Sequence, residues 1–259
     1  MSELKRVKYN NCPLAEVVYQ FNFPTILSIE TDAPAEFQNV IRTKFPHYQQ
    51  HIEKESHLMV SISNRNINPM FKPNPDKKIH LFISDDGTWK VTLAKNYISI
   101  STLKYEQWED LKIRFCDVLQ TFINIYKPIY FERIGLRYID VFNLDVLQLT
   151  GTPWSELIEP HLLGCLSLSS SENLRVGTSS VKSELFINDI AIRIEAGLAM
   201  ANKGEKESFI LDCDYYKKGK VNIQDIKNVS EQLHDESASF FQKSITSKLH
   251  EAMKPEIIK

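Results

Sequence analysis

The stretch Phe131-Glu132-Arg133-Ile134-Gly135-Leu136-Arg137-Tyr138-Ile139-Asp140 decides the fold. Side chains alternate between the faces of a β-strand. One face therefore carries Ile134, Leu136 and Tyr138, and the other carries Arg133, Gly135 and Arg137. The arginine face is either a wet outer surface or the floor of an anion-binding groove, with Gly135 leaving room between two guanidiniums or marking a bulge.

Immediately before this strand, residues 106–127 carry Trp108, Leu111, Phe115, Val118, Leu119, Phe122 and Tyr126 at three- and four-residue steps, and Lys127-Pro128 closes the run. That spacing predicts a long amphipathic helix. Further upstream, Asp85-Asp86-Gly87 between residues 79–84 and 88–93 predicts a hairpin, and residues 96–103 add a strand. Residues 14–23 alternate as a strand ended by Pro24. A short helix follows, with Asp32 as N-cap and Phe37, Val40, Ile41 and Phe45 at helical spacing. A strand is expected near residues 57–63. Residues 64–78, with Pro69, Pro73 and Pro75, read as a loop.

Downstream, strands are predicted at 174–187 (broken near Gly177), 190–200 and 208–216. Asn188-Asp189 forms a tight turn, and residues 201–207 a polar hairpin loop. Residues 150–163 read as a turn and a short helix, and 167–171 as a serine-rich loop or edge. A last long helix over 225–253 carries Ile226, Val229, Leu233, Phe240, Phe241, Ile245 and Leu249. Its apolar stripe is interrupted over 234–239, where a partner could dock. A helix with one apolar stripe must cover a sheet. The expected fold is therefore α+β: a large, curved, mainly antiparallel sheet with two long amphipathic helices. Hairpin strands, a long helix and Lys-Pro occur before residue 128 and again before 255. This suggests two related halves, 1–145 and 146–259, sharing one continuous sheet.

The 259 residues include 42% hydrophobic and 25% charged side chains, the balance of a globular protein able to bury a core. A formal net charge of −2 argues against coating nucleic acid by bulk electrostatics, while leaving a local basic groove open. No apolar run is long enough to span a bilayer, and residues 1–10 lack the apolar core of a secretion signal. The four cysteines, Cys12, Cys116, Cys165 and Cys213, stand apart with no CxxC spacing. They read as free, mostly buried thiols of a cytoplasmic chain, with Cys116 and Cys213 in the core.

Candidate chemistry gathers on strand faces. Arg133 and Arg137 are suited to bidentate contacts with phosphate or carboxylate. Arg193 and Glu195 share a face in the strand over 190–200, as do Asp212 and Asp214 in the next. Two carboxylates so spaced fit a divalent cation or an acid/base pair. They also fit cross-strand ion pairs with Arg133, Arg137 and Arg193, the arrangement we favour. No phosphate-binding glycine loop, nucleophile elbow or zinc-binding HExxH is present. His47, His51 and His57 cluster loosely; His47 and His51, after Pro46, read as loop surface. No catalytic residue, metal ligand or cofactor is assigned.

Asn11-Cys12-Pro13-Leu14-Ala15-Glu16-Val17, Arg133-Ile134-Gly135-Leu136-Arg137-Tyr138-Ile139, and Leu233-His234-Asp235 with Phe240 and Ile245-Thr246 together resemble a sporadically distributed family of uncharacterised prokaryotic proteins of similar length. The likeness covers nearly the whole chain and departs at Asp140, where the family pattern has asparagine. It implies no established activity. Its patchy distribution suits host-defence or mobile-element cassettes, including antiviral ones. The expectation is a non-catalytic binding or assembly subunit with a protein partner or self-association. The alternative is a phosphate-ligand or nucleic-acid binder using an arginine-lined groove, with phosphoester chemistry at Asp212 and Asp214.

Overall fold

The arginine-bearing stretch is a strand of 13 residues, Phe131–Asn143, inside an open nine-stranded sheet. The computed structural model describes residues 7–53, 56–63, 66–73, 77–168, 176–199 and 207–257. Before this strand come β1 (Val7–Tyr9), β2 (Leu14–Asn22), α1 (Leu27–Thr31), α2 (Ala35–Ile41), β3 (His47–Glu53), β4 (Ser56–Ser63) and β5 (Asn66–Pro73). They are followed by β6 (Lys77–Ile83), β7 (Trp89–Ala94), β8 (Tyr97–Thr102) and α3 (Trp108–Tyr126), and the arginine strand is β9. After it come β10 (Ser180–Ile187), β11 (Ile190–Ala199), β12 (Ser208–Val221), α4 (Ile226–Ser244), α5 (Ser247–Ala252) and β13 (Pro255–Ile257).

The large sheet runs β10-β11-β12-β9-β2-β8-β7-β6-β3, and every pairing in it is antiparallel. The expected α+β architecture is therefore present. The topology also repeats. A strand (β2, then β9) is followed by a connection, a three-stranded meander whose last strand pairs back to it (β8, then β12), and a 19-residue helix (α3, then α4). The two first strands pair with each other, Tyr19 opposite Leu136.

Both long helices cover the same face. Tyr19 meets Trp108 and Phe115 of α3 at ring separations of 5.6 and 4.7 Å, and Phe23 meets Phe122 at 4.7 Å. Over the other half, Phe240 and Phe241 of α4 meet Tyr215 and Phe142. Large aromatic rings on every second strand position explain why this face is covered: each such ring, fully buried, contributes about 2–3 kcal/mol. The two helices are tied together by Glu231 of α4, which accepts from Trp108 Nε1 at 2.9 Å and from Lys112 Nζ at 2.6 Å. No helix among the described residues is long and apolar enough to cross a membrane.

The hairpin at Asp85-Asp86-Gly87 forms as its residues require. Gly87 takes φ +70°, and the Asp86 carboxylate accepts from Ser84 Oγ and Thr88 Oγ1 at 2.6 and 2.7 Å. Those hydrogen bonds hold the Asp86 carboxyl down at about 2. The long helix ends where Lys127 turns left-handed (φ 49°) before Pro128.

Other expectations are corrected. Residues 64–78 are not one loop: β5 pairs with β4 in a separate two-stranded ribbon, and β6 begins at Lys77. Prolines are tolerated there because a two-stranded ribbon has only edges. Asp32 caps the C-terminal end of α1, and Pro34 stands at the N-cap of α2. His47 and His51 are exposed but lie on edge strand β3, where the period is two. Cys12, Cys116 and Cys165 are exposed, and only Cys213 is buried; Cys116 follows the buried Phe115 and so points off the helix's apolar stripe. Residues 150–163 form short 3₁₀ turns, and β10 starts only at Ser180. The expectations for residues 64–65, 74–76, 169–171, 174–175 and 200–206 fall outside the described residues.

The last helix is not continuous. Ile245 is extended and forms a bridge with Ile158. Thr246 then caps α5, accepting from Leu249 N at 3.4 Å and donating to Glu156 O at 2.8 Å.

Candidate functional site

The face without helices carries all six residues singled out from sequence. Arg133 Nη2 donates to both Asp214 carboxylate oxygens at 2.7 and 2.6 Å. Arg137 Nε donates to Asp212 Oδ1 at 2.7 Å, with Nη2 on Oδ2. Both pairs run diagonally, since the register sets Arg137 opposite Asp214 and Lys218 opposite Arg133. Arg193 reaches Glu184 at 3.5 Å and Glu195 reaches Lys182 at 2.8 Å, so these two pair outward onto β10. The expected exchange between Arg193 or Glu195 and the other four is therefore not made.

Gly135 is neither a bulge nor an opening for a ligand. The β9–β12 register is unbroken there, and the space above Gly135 holds the Arg133 guanidinium: a Cβ at 135 would lie 2.1 Å from Arg133 Nη1. Crossing this gap, the guanidinium stacks 4.5 Å from the Tyr216 ring centre and reaches Asp214. Side-chain exposures of 18% and 19% make Arg133–Asp214 a half-buried pair. The adjacent carboxylate raises the Arg137 guanidinium further above its ordinary range. This face is a cross-strand charge ladder.

The helix-covered face holds what the sequence reading passed over. Between α4, the segment 7–14 and strands β9 and β12 lies a cavity of about 140 Å³. At its wall is Asp140, 3% exposed. Its carboxyl makes no hydrogen bond among the described residues, and burial, with the Asp212 charge adding, pushes it up to about 8. Around it stand Tyr9, Tyr105, Tyr138, Cys213 and Tyr215. Burial likewise raises the Tyr9 phenol to about 12, and drives up the Tyr105, Tyr138 and Tyr215 phenols and the Cys213 thiol. At neutral pH the chamber therefore presents protonated oxygens and sulfur against apolar walls. The rim carries the exposed Cys12 and His234. A second cavity of about 440 Å³ adjoins it, sharing Tyr9, Cys12, Tyr105 and His234, and reaching Lys8, Glu106 and Glu109.

Local sequence explains the hollow. Facing the sheet, α4 places Ser237 and Ala238 where a larger side chain would fill the space. His234 stacks on Trp108 with ring centres 4.8 Å apart and planes 9° apart, and its Nδ1 lies 3.2 Å from the Tyr138 hydroxyl. The β2 register shifts between Leu14 and Glu16, beside Asp140; an extra residue there bends the strand and loosens the sheet next to the carboxyl. Two signals for this site were available. Alternation puts Asp140 on the same face as Ile134, Leu136 and Tyr138, and the interruption over 234–239 marks the helix segment above it.

No group of His, Cys, Asp and Glu among the described residues has the geometry of a metal centre. The chain matches no protein-family model, and a search of curated proteins finds no match.

Proposed function

We propose that this protein is a non-catalytic binding subunit whose ligand occupies the cavity beneath α4. One observation carries the proposal: the Asp140 carboxyl, 3% exposed, lines a hollow of about 140 Å³ without a hydrogen-bond partner among the described residues. Buried polar groups are ordinarily satisfied, and one left open in a cavity marks a place for a ligand group. A thiol and phenols held protonated donate hydrogen bonds and are poor nucleophiles, which favours binding over catalysis. The phosphate or nucleic-acid alternative has less support, because the Arg133 and Arg137 guanidiniums are already engaged by Asp214 and Asp212. Host-defence or mobile-element membership rests on the family resemblance alone.

The test is a fragment screen by saturation-transfer NMR on the unmodified chain and on Ala238→Phe, which fills the hollow. A set of fragments is expected to bind the first protein and lose contact with the second. If both fold and no fragment tells them apart, the cavity is not a binding site.

A second observation favours association through a sheet edge. No strand pairs with the outer edge of β10 among the described residues, and Phe186 on it is 72% exposed. Such an edge is a template for another strand. Light scattering at rising concentration is expected to show self-association that Phe186→Lys reduces. A strict monomer at all concentrations excludes it.

A further inference from the structure

Resting on the cavity as a binding site, we infer that its ligand is a small organic cation, an ammonium whose nitrogen sits against Asp140 and whose carbon groups lie against the surrounding rings. Three features of the chamber point to this chemistry. First, among the described residues the ionisable groups around the carboxyl, His234 apart, can add only negative charge. Tyr9 faces Asp140 from β1, Cys12 from the following loop and Tyr105 from the loop before α3; β9 contributes Tyr138, and β12 contributes Cys213 and Tyr215. Asp212, on the other face of β12, adds a negative charge through the sheet. His234 of α4, the one basic side chain on this wall, is stacked on Trp108. An anionic ligand would thus keep the carboxyl protonated, while a cation supplies the counter-charge that lets it ionise.

Second, the phenol rings stand edge to face. Tyr138 meets Tyr105 at 89° and Tyr215 at 71°. Aromatic rings stabilise a desolvated ammonium through their quadrupole, and four phenol rings line this hollow. Third, the size fits. A dry hollow of about 150 Å³ accommodates a molecule of about six heavy atoms such as benzene, and this one measures about 140 Å³. The adjoining chamber, with Glu106 and Glu109 beside Lys8, admits a longer chain or the backbone of a lysine residue.

A cation against Asp140 favours the carboxylate. Binding at neutral pH therefore expels the carboxyl proton to the buffer, and the affinity rises with pH until the free carboxyl is ionised. Free amines and lysine side chains present the same ammonium, so both are used as probes. The full chain is titrated calorimetrically with n-butylammonium, 1-butanol and acetyl-lysine methylamide at pH 6, 7 and 8.5, the middle point in two buffers of different ionisation heat. The expected result for butylammonium is an affinity gain of about tenfold or more from pH 6 to 8.5, because only the ionised fraction of Asp140 pairs with it. At pH 7 nearly one proton should be released. Its midpoint should lie near 8, away from the value of about 6.5 ordinary for an imidazole.

Asp140→Asn should abolish the pH dependence and weaken butylammonium to the level of 1-butanol. Acetyl-lysine methylamide binding as well as butylammonium assigns the site to a lysine side chain; its exclusion assigns a free amine. Both outcomes uphold the ammonium class. If butylammonium binds no better than 1-butanol, or without pH dependence, the cation is ruled out. The cavity then stands as a site for neutral ligands if the fragment screen separates the unmodified chain from Ala238→Phe, and falls with the cation if it does not.

Discussion

At the scale of single residues, Gly135 and Arg133 form one device. Glycine inside a strand costs about 0.5–1 kcal/mol relative to alanine, so its presence needs a reason, and the guanidinium lying over it supplies one. Gly135→Ala should push Arg133 off Asp214 and lower stability by about 1–2 kcal/mol, the range for a half-buried charge-assisted hydrogen bond. In an Arg133→Ala background the same change should be neutral or slightly stabilising. Urea unfolding of the four proteins measures the coupling; additive effects would mean that the guanidinium does not occupy that space. Asp140 carries the opposite kind of cost. Its carboxyl titrates at about 8 in the fold and at about 3.9 in an unfolded chain. The folded state therefore holds a proton that the unfolded chain gives up. The resulting stability is fully present below about pH 4 and is lost as pH rises toward 8. Asp140→Asn removes that loss. Its melting temperature should match the unmodified chain near pH 4 and exceed it increasingly up to pH 8, where the gain is on the order of a few kcal/mol. Parallel melting curves across that range would show a carboxyl that is not perturbed by burial.

At the scale of elements, what could be read from sequence followed periodicity, and what escaped it followed packing. The alternation in β9, the Asp-Gly hairpin and the stripe of α3 are local patterns, and each formed where its pattern lay. The partners of Asp212 and Asp214 were legible too, because opposite charges on one face of neighbouring strands find each other. The break in the apolar stripe of α4 was visible, but its meaning was not. A stripe is counted by hydrophobicity, so Ser237 and His234 looked like an outward-facing gap. They point inward, onto the hollow walled by Tyr138 and Tyr215. The break at Ile245 was hidden for a related reason. Ile245 is buried and on-stripe, and only its bridge to Ile158 pulls it out of the helix. That bridge makes Thr246 a cap, with its hydroxyl joining Leu249 N to Glu156 O. Thr246→Val keeps the shape and removes both contacts, so it should cost about 1–2 kcal/mol and raise amide exchange in α5 without changing exchange in α3. Unchanged exchange in α5 would place its N-terminal restraint elsewhere.

At the scale of the whole molecule, the repeated topology, β2 to α3 and then β9 to α4, raises the question of whether the two repeats behave as separate units. Their central strands answer in opposite directions. Each repeat closes its own four strands and carries its own helix, which favours independence. Yet β2 and β9, the first strand of each repeat, pair along their length through registered positions from Val17–Tyr138 to Asn22–Arg133. Tyr19 of β2 packs on Trp108 and Phe115 of α3, and its hydroxyl is hydrogen-bonded to Ser230 of α4. Trp108 and Lys112 in turn hold Glu231 of α4. Releasing either half would expose Tyr19, Leu136 and the facing sides of both helices, and losing even a few large buried side chains costs about 2–5 kcal/mol apiece. Net domain stability is only about 5–15 kcal/mol, so a half without its neighbour has little left to hold it. We therefore expect one cooperative unfolding transition. Calorimetry should give equal calorimetric and van't Hoff enthalpies, and hydrogen exchange should show β2 and β9 as the most protected strands, with protection falling toward the edge strands β10 and β3. Two resolved heat-absorption peaks, or slow exchange in one repeat while the other is already open, would mean that the β2–β9 seam is weaker than its side-chain contacts imply and that each repeat folds on its own.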